Sequence, residues 1–272
     1  MSVVNLRRYS LARGLVKGSE FADIPYVVPI PQPSIDTVDL KIWYDVGNPG
    51  CYDGSTTLNN LVTGGTFSTA TPTNTGGGTI TIDDVERGVD FNQTTNGANL
   101  YYAYQNLGTI NRNSGITMFG FIRKNSGVTP YNSRWCALDG SGSDTTNLLI
   151  DTNVRDGVRS EYHNGSAGYI NVWNAKTMSN GVWYFAAFSV NTGASAQITM
   201  LQTDDTTATS STFNNASPGS YTVTSGGFGM VPSGGSIQYN WSIGAHGVYQ
   251  KSMSVTEMRA IRDTYTNMGF YV

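Results

Sequence analysis

Charge is the scarcest ingredient of this 272-residue chain. Asp, Glu, Lys and Arg make up 13% of it, about half the quarter usual for soluble globular proteins. A helical bundle or coiled coil draws its exposed faces from Glu and Lys, so that shortage argues against both. Cysteine is nearly absent. Cys51 and Cys136 are too few to form a disulfide framework, and neither belongs to a zinc-type Cys/His spacing. The two histidines, His163 and His246, occur outside any G-x-S-x-G, H-E-x-x-H or G-x-x-x-x-G-K-[ST] pattern, which leaves the familiar hydrolase and nucleotide-binding motifs without their parts. No apolar run approaches the roughly 18 residues of a membrane span. Arg7, Arg8 and Arg13 interrupt the apolar residues of the N-terminus, so no secretory leader is expected there. A chain of this kind is expected either to be made and used inside a cell or to leave it by a route such as lysis.

What replaces charge is hydroxyl, amide and glycine. Gly, Thr, Ser and Asn supply 114 of the 272 residues. The chain also carries 5 Trp, 16 Tyr and 10 Phe, too much aromatic surface to remain unburied in a disordered chain. Thr, Tyr and Val favour the pleated, half-buried surface of a strand. The composition therefore reads as an all-β domain whose core is covered by neutral polar groups.

The little charge present is unevenly placed. Residues 1–17 hold Arg7, Arg8, Arg13 and Lys17 without an acid, against 12 bases and 19 acids in the remainder. A +4 arm on a −7 body fits docking on an anionic protein surface. Four cations without interleaved aromatics are too few for a nucleic-acid site. Four of the nine prolines fall between Pro25 and Pro33, a spacing that favours extended polyproline II. Residues 1–24 are read as a basic docking arm, 25–35 as a stiff spacer, and 36–272 as one β-sandwich.

Within that domain, strand-like runs alternate with glycine-rich connections. They cover Leu40–Asp45, Thr79–Asp83, Gly88–Asn92, Asn99–Tyr104, Gly115–Lys124, Arg134–Asp139, Asn147–Thr152, Gly157–Tyr162, Tyr169–Trp173, Val182–Val190, Ala196–Gln202 and Ser236–Gln250, the last with a possible break at Gly244 or Gly247. Thr63–Gly78 reads as a long polar loop. Strands without interleaved helices imply two antiparallel sheets. One helix is expected, at the end. Ser254-Val-Thr-Glu257 is a capping box, Met258, Ile261, Tyr265 and Met268 share a helical face, and Gly269 occupies a C′ position. This helix is expected to close the sandwich.

Three segments carry a family resemblance. Leu40-Lys-Ile-Trp-Tyr-Asp45 with Gly47-Asn-Pro-Gly50 resembles the opening strand and turn of concanavalin A-like, laminin-G-like jelly rolls. Gly181-Val-Trp-Tyr-Phe-Ala-Ala-Phe-Ser-Val190 is similar to the family's Gly-x-Trp-Tyr strand. Ile243-Gly-Ala-His-Gly-Val-Tyr249 followed by the Ser254–Met268 helix resembles the closing strand and its lid. The ordered set is similar to laminin-G-like domains of tailed-bacteriophage structural proteins, and Arg13-Gly-Leu-Val-Lys-Gly-Ser19 resembles the start of some phage fibre and decoration proteins. The resemblance implies a virion surface protein, a capsid decoration or fibre-type subunit. It would dock on other virion proteins through residues 1–35, form a homo-oligomer, and face outward with a lectin-like domain that could bind a host glycan. No membrane or nucleic-acid partner is expected.

Glucanases of the same superfold use an E-x-D-x-x-E pattern, in which two carboxylates flank the scissile bond. Thr81-x-Asp83-x-x-Glu86 has that spacing with Thr81 in place of the first glutamate, so a non-enzymatic protein is expected and Asp83–Glu86 reads as a turn. Asp139-Gly-Ser-Gly-Ser-Asp144 offers hard oxygens of the kind calcium takes, but loops of this composition commonly hold no ion, and no metal or other cofactor is assigned. For a glycan, aromatic faces beside amides are the groups of choice. Tyr102, Tyr104, Asn171 and Trp173 are the candidates, with Tyr102 and Tyr104 on one sheet face and Tyr101 on the other.

Overall fold

The computed structural model describes residues 31–93, 100–125, 133–140, 145–151, 157–164, 168–174, 178–202, 208–215, 218–231 and 240–272. The chain divides into two units, Met1–Pro33 and Ser34–Val272. Only residues 31–33 of the first are described, so the basic arm lies outside the described residues, as does most of the proline spacer. The second unit is a sandwich of two antiparallel sheets, the architecture expected from the composition.

The first sheet runs β15 (Thr209–Asn215), β14 (Gly193–Gln202), β13 (Trp183–Val190), β8 (Ile116–Lys124), β17 (Asn240–Tyr249), β5 (Gly88–Gln93) and β4 (Gly78–Asp83). β1 (Leu40–Tyr44) joins it on β17. One edge of β17 serves two strands: Asn240–Ile243 pair with β5, and His246–Tyr249 pair with β1. The register shift between Ile243 and His246 falls where a break was expected at Gly244, and the strand continues through it as a bulge. The second sheet runs β12 (Gly168–Asn174), β11 (Gly157–Asn164), β10 (Thr145–Asp151), β9 (Ser133–Gly140), β16 (Ser220–Val231), β6 (Leu100–Tyr104), β3 (Thr69–Asn74) and β2 (Leu58–Asn59), with β7 (Thr109–Asn111) on β16.

Five of these strands were not expected: the short β2 and β7, and the longer β3, β15 and β16. β3 lies inside the segment read as the Thr63–Gly78 loop. It pairs with β6 along Ala70–Asn74, whereas β2 reaches only Thr69 and Ala70. Pro72 therefore sits where β3 has become an edge, a position that tolerates a missing N–H. β15 is exposed along most of its length and so lacks an apolar alternation. β16 carries Gly226 and Gly227 because a Cβ there would meet the Ala137 carbonyl at 2.8 Å and run into the Tyr102 carbonyl.

Apolar residues form two cores. One lies between the sheets and includes Ile42, Phe91, Met118, Ile122, Trp135, Leu138, Phe188 and Phe228. Cys51 and Cys136 are free thiols buried within it. The other lies on the outer face of the first sheet, where Phe119, Phe121, Phe185 and Leu201 meet the single helix among the described residues, α1 (Val255–Thr266), through Met258, Ile261 and Tyr265. α1 thus covers one sheet from outside instead of closing the gap between the two. The reason is legible in β13, buried on both faces from Tyr184 to Val190, the signature of a strand with a layer on each side. The capping box is present on both arms, Glu257 N–H donating to Ser254 Oγ at 3.2 Å and Ser254 N–H donating to Glu257 Oε2 at 2.7 Å. Gly269 adopts a left-handed φ of 81°, with Gly269 N–H bonded to Thr266 O and Phe270 N–H to Tyr265 O, a Schellman ending.

Candidate functional site

Beyond the helix, the outer face of the first sheet changes from aromatic to polar within two residues. Phe121 and Phe185 are register partners under the helix; Arg123 and Trp183, two positions along β8 and β13, are partners in the next row on that face, where both are half-buried. The same row continues from Arg123 to Ser242 on β17, from Ser242 to Asp90 on β5, and from Asp90 to Thr81 on β4. Five strands thus align side chains drawn from positions 81 to 242.

The Arg123 guanidinium is the hub. Its Nε donates to Asn125 Oδ1 at 2.9 Å, one terminal nitrogen to Glu86 Oε2, and the other to Ser242 Oγ at 3.1 Å with Asp90 Oδ1 3.6 Å away. Asn125 Nδ2 donates to Ser242 Oγ at 2.8 Å and to Asn240 Oδ1 at 3.2 Å, and Ser242 Oγ donates to Asp90. The guanidinium carbon lies 4.7 Å from the centre of the half-buried Trp183 indole, a cation–π contact. Tyr271 meets the same indole edge-on at 4.8 Å. Gly88 lets the ring lie close to β5, since a Cβ there would approach it to 3.1 Å.

Glu86 is delivered by the β4–β5 turn. Asp83 Oδ1 accepts from the Val85 and Glu86 N–H groups at 3.0 and 2.9 Å, the turn expected for this segment. Arg87 follows with a φ of 58° and sends its guanidinium inward to Asp45. Glu86 is left with 51% of its side chain exposed, Asp90 with 33% and Arg123 with 17%. The half-buried indole, with Arg123 over its ring and Tyr271 against it, borders an ordered set of carboxylates, amides and a guanidinium on a rigid sheet that can hydrogen-bond to the polar groups of a ligand.

The sequence-predicted glycan residues fall elsewhere. Tyr102 and Tyr104 are 2% and 3% exposed and belong to the core between the sheets, which overturns their assignment to a sugar site. Tyr102 stacks on Phe228 at 5.1 Å and Tyr104 on Tyr44 at 5.5 Å, so neither ring has a face for a ligand. Their shared face was read correctly; that it points inward is decided by the packing against Tyr44 and Phe228 of other strands. Asn171 is half-buried on β12, in register with Glu161, and its Oδ1 has no hydrogen-bond partner. Trp173 is the register partner of Arg159; its side chain lies outside the described residues. Arg7, Arg8, Arg13 and Lys17 lie outside them too. Asp139 sits on β9 with Oδ2 accepting from Arg134 at 2.9 Å, while Asp144 is not among the described residues. Among the described residues, no three His, Cys, Asp or Glu side chains converge as a metal site. The Trp183 row itself was missed because only strand pairing unites it. Its local signals were Arg123 near the end of β8 and Trp183 in the Gly-x-Trp-Tyr segment, and neither points to the other.

No protein-family model and no curated protein sequence matches the chain. Solved structures do. The binding domain of botulinum neurotoxin serotype D/C VPI 5993 superposes with a TM-score of 0.55 at 9% identity, over 83% of this chain and 52% of its own. The structure describing botulinum neurotoxin type C entry through two ganglioside molecules gives 0.55 at 9%, over 85% and 51%. Domain 4 of AbnA, an extracellular arabinanase of Geobacillus stearothermophilus in complex with arabinotriose, gives 0.54 at 12%, over 82% of this chain and 98% of that one. The chain spans about half the length of the neurotoxin domains it matches. The fold is a two-sheet, jelly-roll-like β-sandwich. At these identities the likeness extends to the fold alone.

Proposed function

We propose that this chain is a non-catalytic glycan-binding domain displayed on the surface of a tailed-phage virion, and that the Trp183 row is its ligand platform. The observation that carries the reading is the register row itself. It sets an indole beside Arg123, Asn125, Ser242, Asp90 and Glu86 on the face the helix leaves open. Sugars present apolar C–H faces and polar hydroxyl edges, and charged partners make the stronger hydrogen bonds to such edges. The arabinotriose complex and the ganglioside-dependent neurotoxin among the structural neighbours support the same class of ligand. The absence of a first glutamate at Thr81, together with the tie of Glu86 and Asp90 to one arginine, supports binding without hydrolysis. A glycan array tests the reading. The wild-type protein is expected to bind a defined set of oligosaccharides and Trp183→Ala to lose them with its circular dichroism retained. Binding unchanged in the variant would remove the platform.

The virion part of the proposal is supported by the +4 arm on a −7 body, the proline spacer and the laminin-G-like segments. The arm would dock on other virion proteins, and the displayed domain would form a homo-oligomer. Deleting residues 1–24 is expected to abolish incorporation into particles while leaving oligosaccharide binding intact; undiminished incorporation would refute arm-mediated docking.

A further inference from the structure

We infer that the Trp183 platform recognises sugars as hydrogen-bond donors, ranking amino sugars above neutral ones and rejecting acidic ones; this rests on the glycan-binding reading above. The inference follows from which polar atoms are already used. Every nitrogen of the Arg123 guanidinium faces an acceptor within the cluster: Asn125 Oδ1, Glu86 Oε2, and Ser242 Oγ with Asp90 Oδ1. Both N–H bonds of the Asn125 amide are spent on Ser242 and Asn240, and the Ser242 hydroxyl on Asp90. Most N–H bonds of the platform's charged donor are therefore engaged, and its charge is offset by Glu86 and Asp90, before a ligand arrives.

The acceptors are not. Glu86 uses Oε2 for Arg123, and Asp90 uses Oδ1 for Ser242 and Arg123. Glu86 Oε1 and Asp90 Oδ2 have no partner among the described residues, and both side chains reach solvent. A carboxylate accepts and does not donate, so these two oxygens call for O–H or N–H groups from the ligand. The adjoining turn adds Asp83 and Asp84, which makes four carboxylates against Arg123 and the neighbouring Lys124. A sugar carboxylate would meet this negative field with the one guanidinium already paired to two carboxylates, whereas an ammonium is drawn to it. Glu86 and Asp90 thereby act as specificity-determining residues.

The test uses the full chain and size-matched oligomers of glucosamine, N-acetylglucosamine and a sialylated sugar, titrated calorimetrically at low and high salt. The glucosamine oligomer is expected to bind about five-fold tighter than its N-acetylated counterpart at low salt, the worth of one exposed charge pair. The gap should close at high salt, where exposed pairs are screened, and the sialylated sugar should give no heat. Glu86→Gln combined with Asp90→Asn is expected to bring the glucosamine and N-acetylglucosamine oligomers to one common affinity, erasing the five-fold gap. Should the double variant lose its circular dichroism, Glu86→Gln alone, at a half-exposed position, is expected to narrow the gap. Sialylated binding that equals or exceeds the others, or a gap that survives these substitutions, would overturn the inference while leaving the glycan reading in place. Failure of all three sugars, and of every other glycan on the array, would overturn both.

Discussion

Burial changes the chemistry of His246 more than that of any other residue with a described proton equilibrium near neutrality. Its ring lies between Tyr44 at 5.6 Å and Phe228 at 4.2 Å, with Nδ1 3.2 Å from the Gly244 carbonyl and Nε2 without a partner. Desolvation pushes its pKa down to about 4, against a smaller upward pull from the Gly244 carbonyl. In the unfolded chain the same imidazole titrates near 6.5. Between those values the unfolded state binds the extra proton, so stability is full above about pH 6.5 and drains away as the pH falls toward 4, by about 3 kcal/mol in all. Urea unfolding across that range is expected to show this slope, and His246→Gln to flatten it by about one proton; a variant with the wild-type slope would place the proton elsewhere. Alternation in Leu100–Tyr104 made the pairing of Tyr102 with Tyr104 legible at this scale. Which of the two faces met the other sheet was not, because a period of two is symmetric about the strand.

Local patterns served best for elements that carry their own boundaries. α1 forms where the Ser254–Glu257 box starts it and Gly269 ends it, and both signals depend on residues within a turn of each other. Ser254→Ala is expected to cost about 1 kcal/mol, the usual worth of an N-cap side chain, and to lower the thermal midpoint by a few degrees. The Ser254 N–H and hydroxyl hold the Glu257 carboxyl below its usual range. That contribution is present above the unfolded carboxylate pKa and is lost as the pH falls through the depressed value, so the Ser254→Ala penalty should shrink in acid. Equal penalties at pH 7 and pH 3 in parallel denaturation curves would contradict this. β3, β15 and β16 lacked any comparable local signal. Their Thr, Ser and Gly residues become strands only because β6, β14 and β9 present free ladder groups to them.

Across the whole sandwich unit, one buried ion pair links distant parts. Asp45, at the end of β1, and Arg87, after the β4–β5 turn, are 1% and 2% exposed. Arg87 lies over the Phe270 ring at 4.4 Å, and its carbonyl accepts from the Tyr271 hydroxyl at 2.7 Å. Arg87→Met leaves the Asp45 carboxylate buried without its counter-charge, and a loss of about 3–5 kcal/mol is expected in denaturant titration; a loss below 1 kcal/mol would show that water reaches the site. Composition and short-range pattern suffice to establish an all-β chain, its principal strands and its capped helix. These depend on residue type and on neighbours a few positions apart, where propensity and capping act. The position of α1 outside the first sheet, the burial of Tyr102 and Tyr104, and the assembly of Trp183, Arg123, Ser242 and Asp90 into one row were decided by strand pairing. Register joins Ser242 to Arg123 and Asp90, each more than a hundred positions away, and the hydrogen-bond ladder that sets it exists only once the sheets have formed.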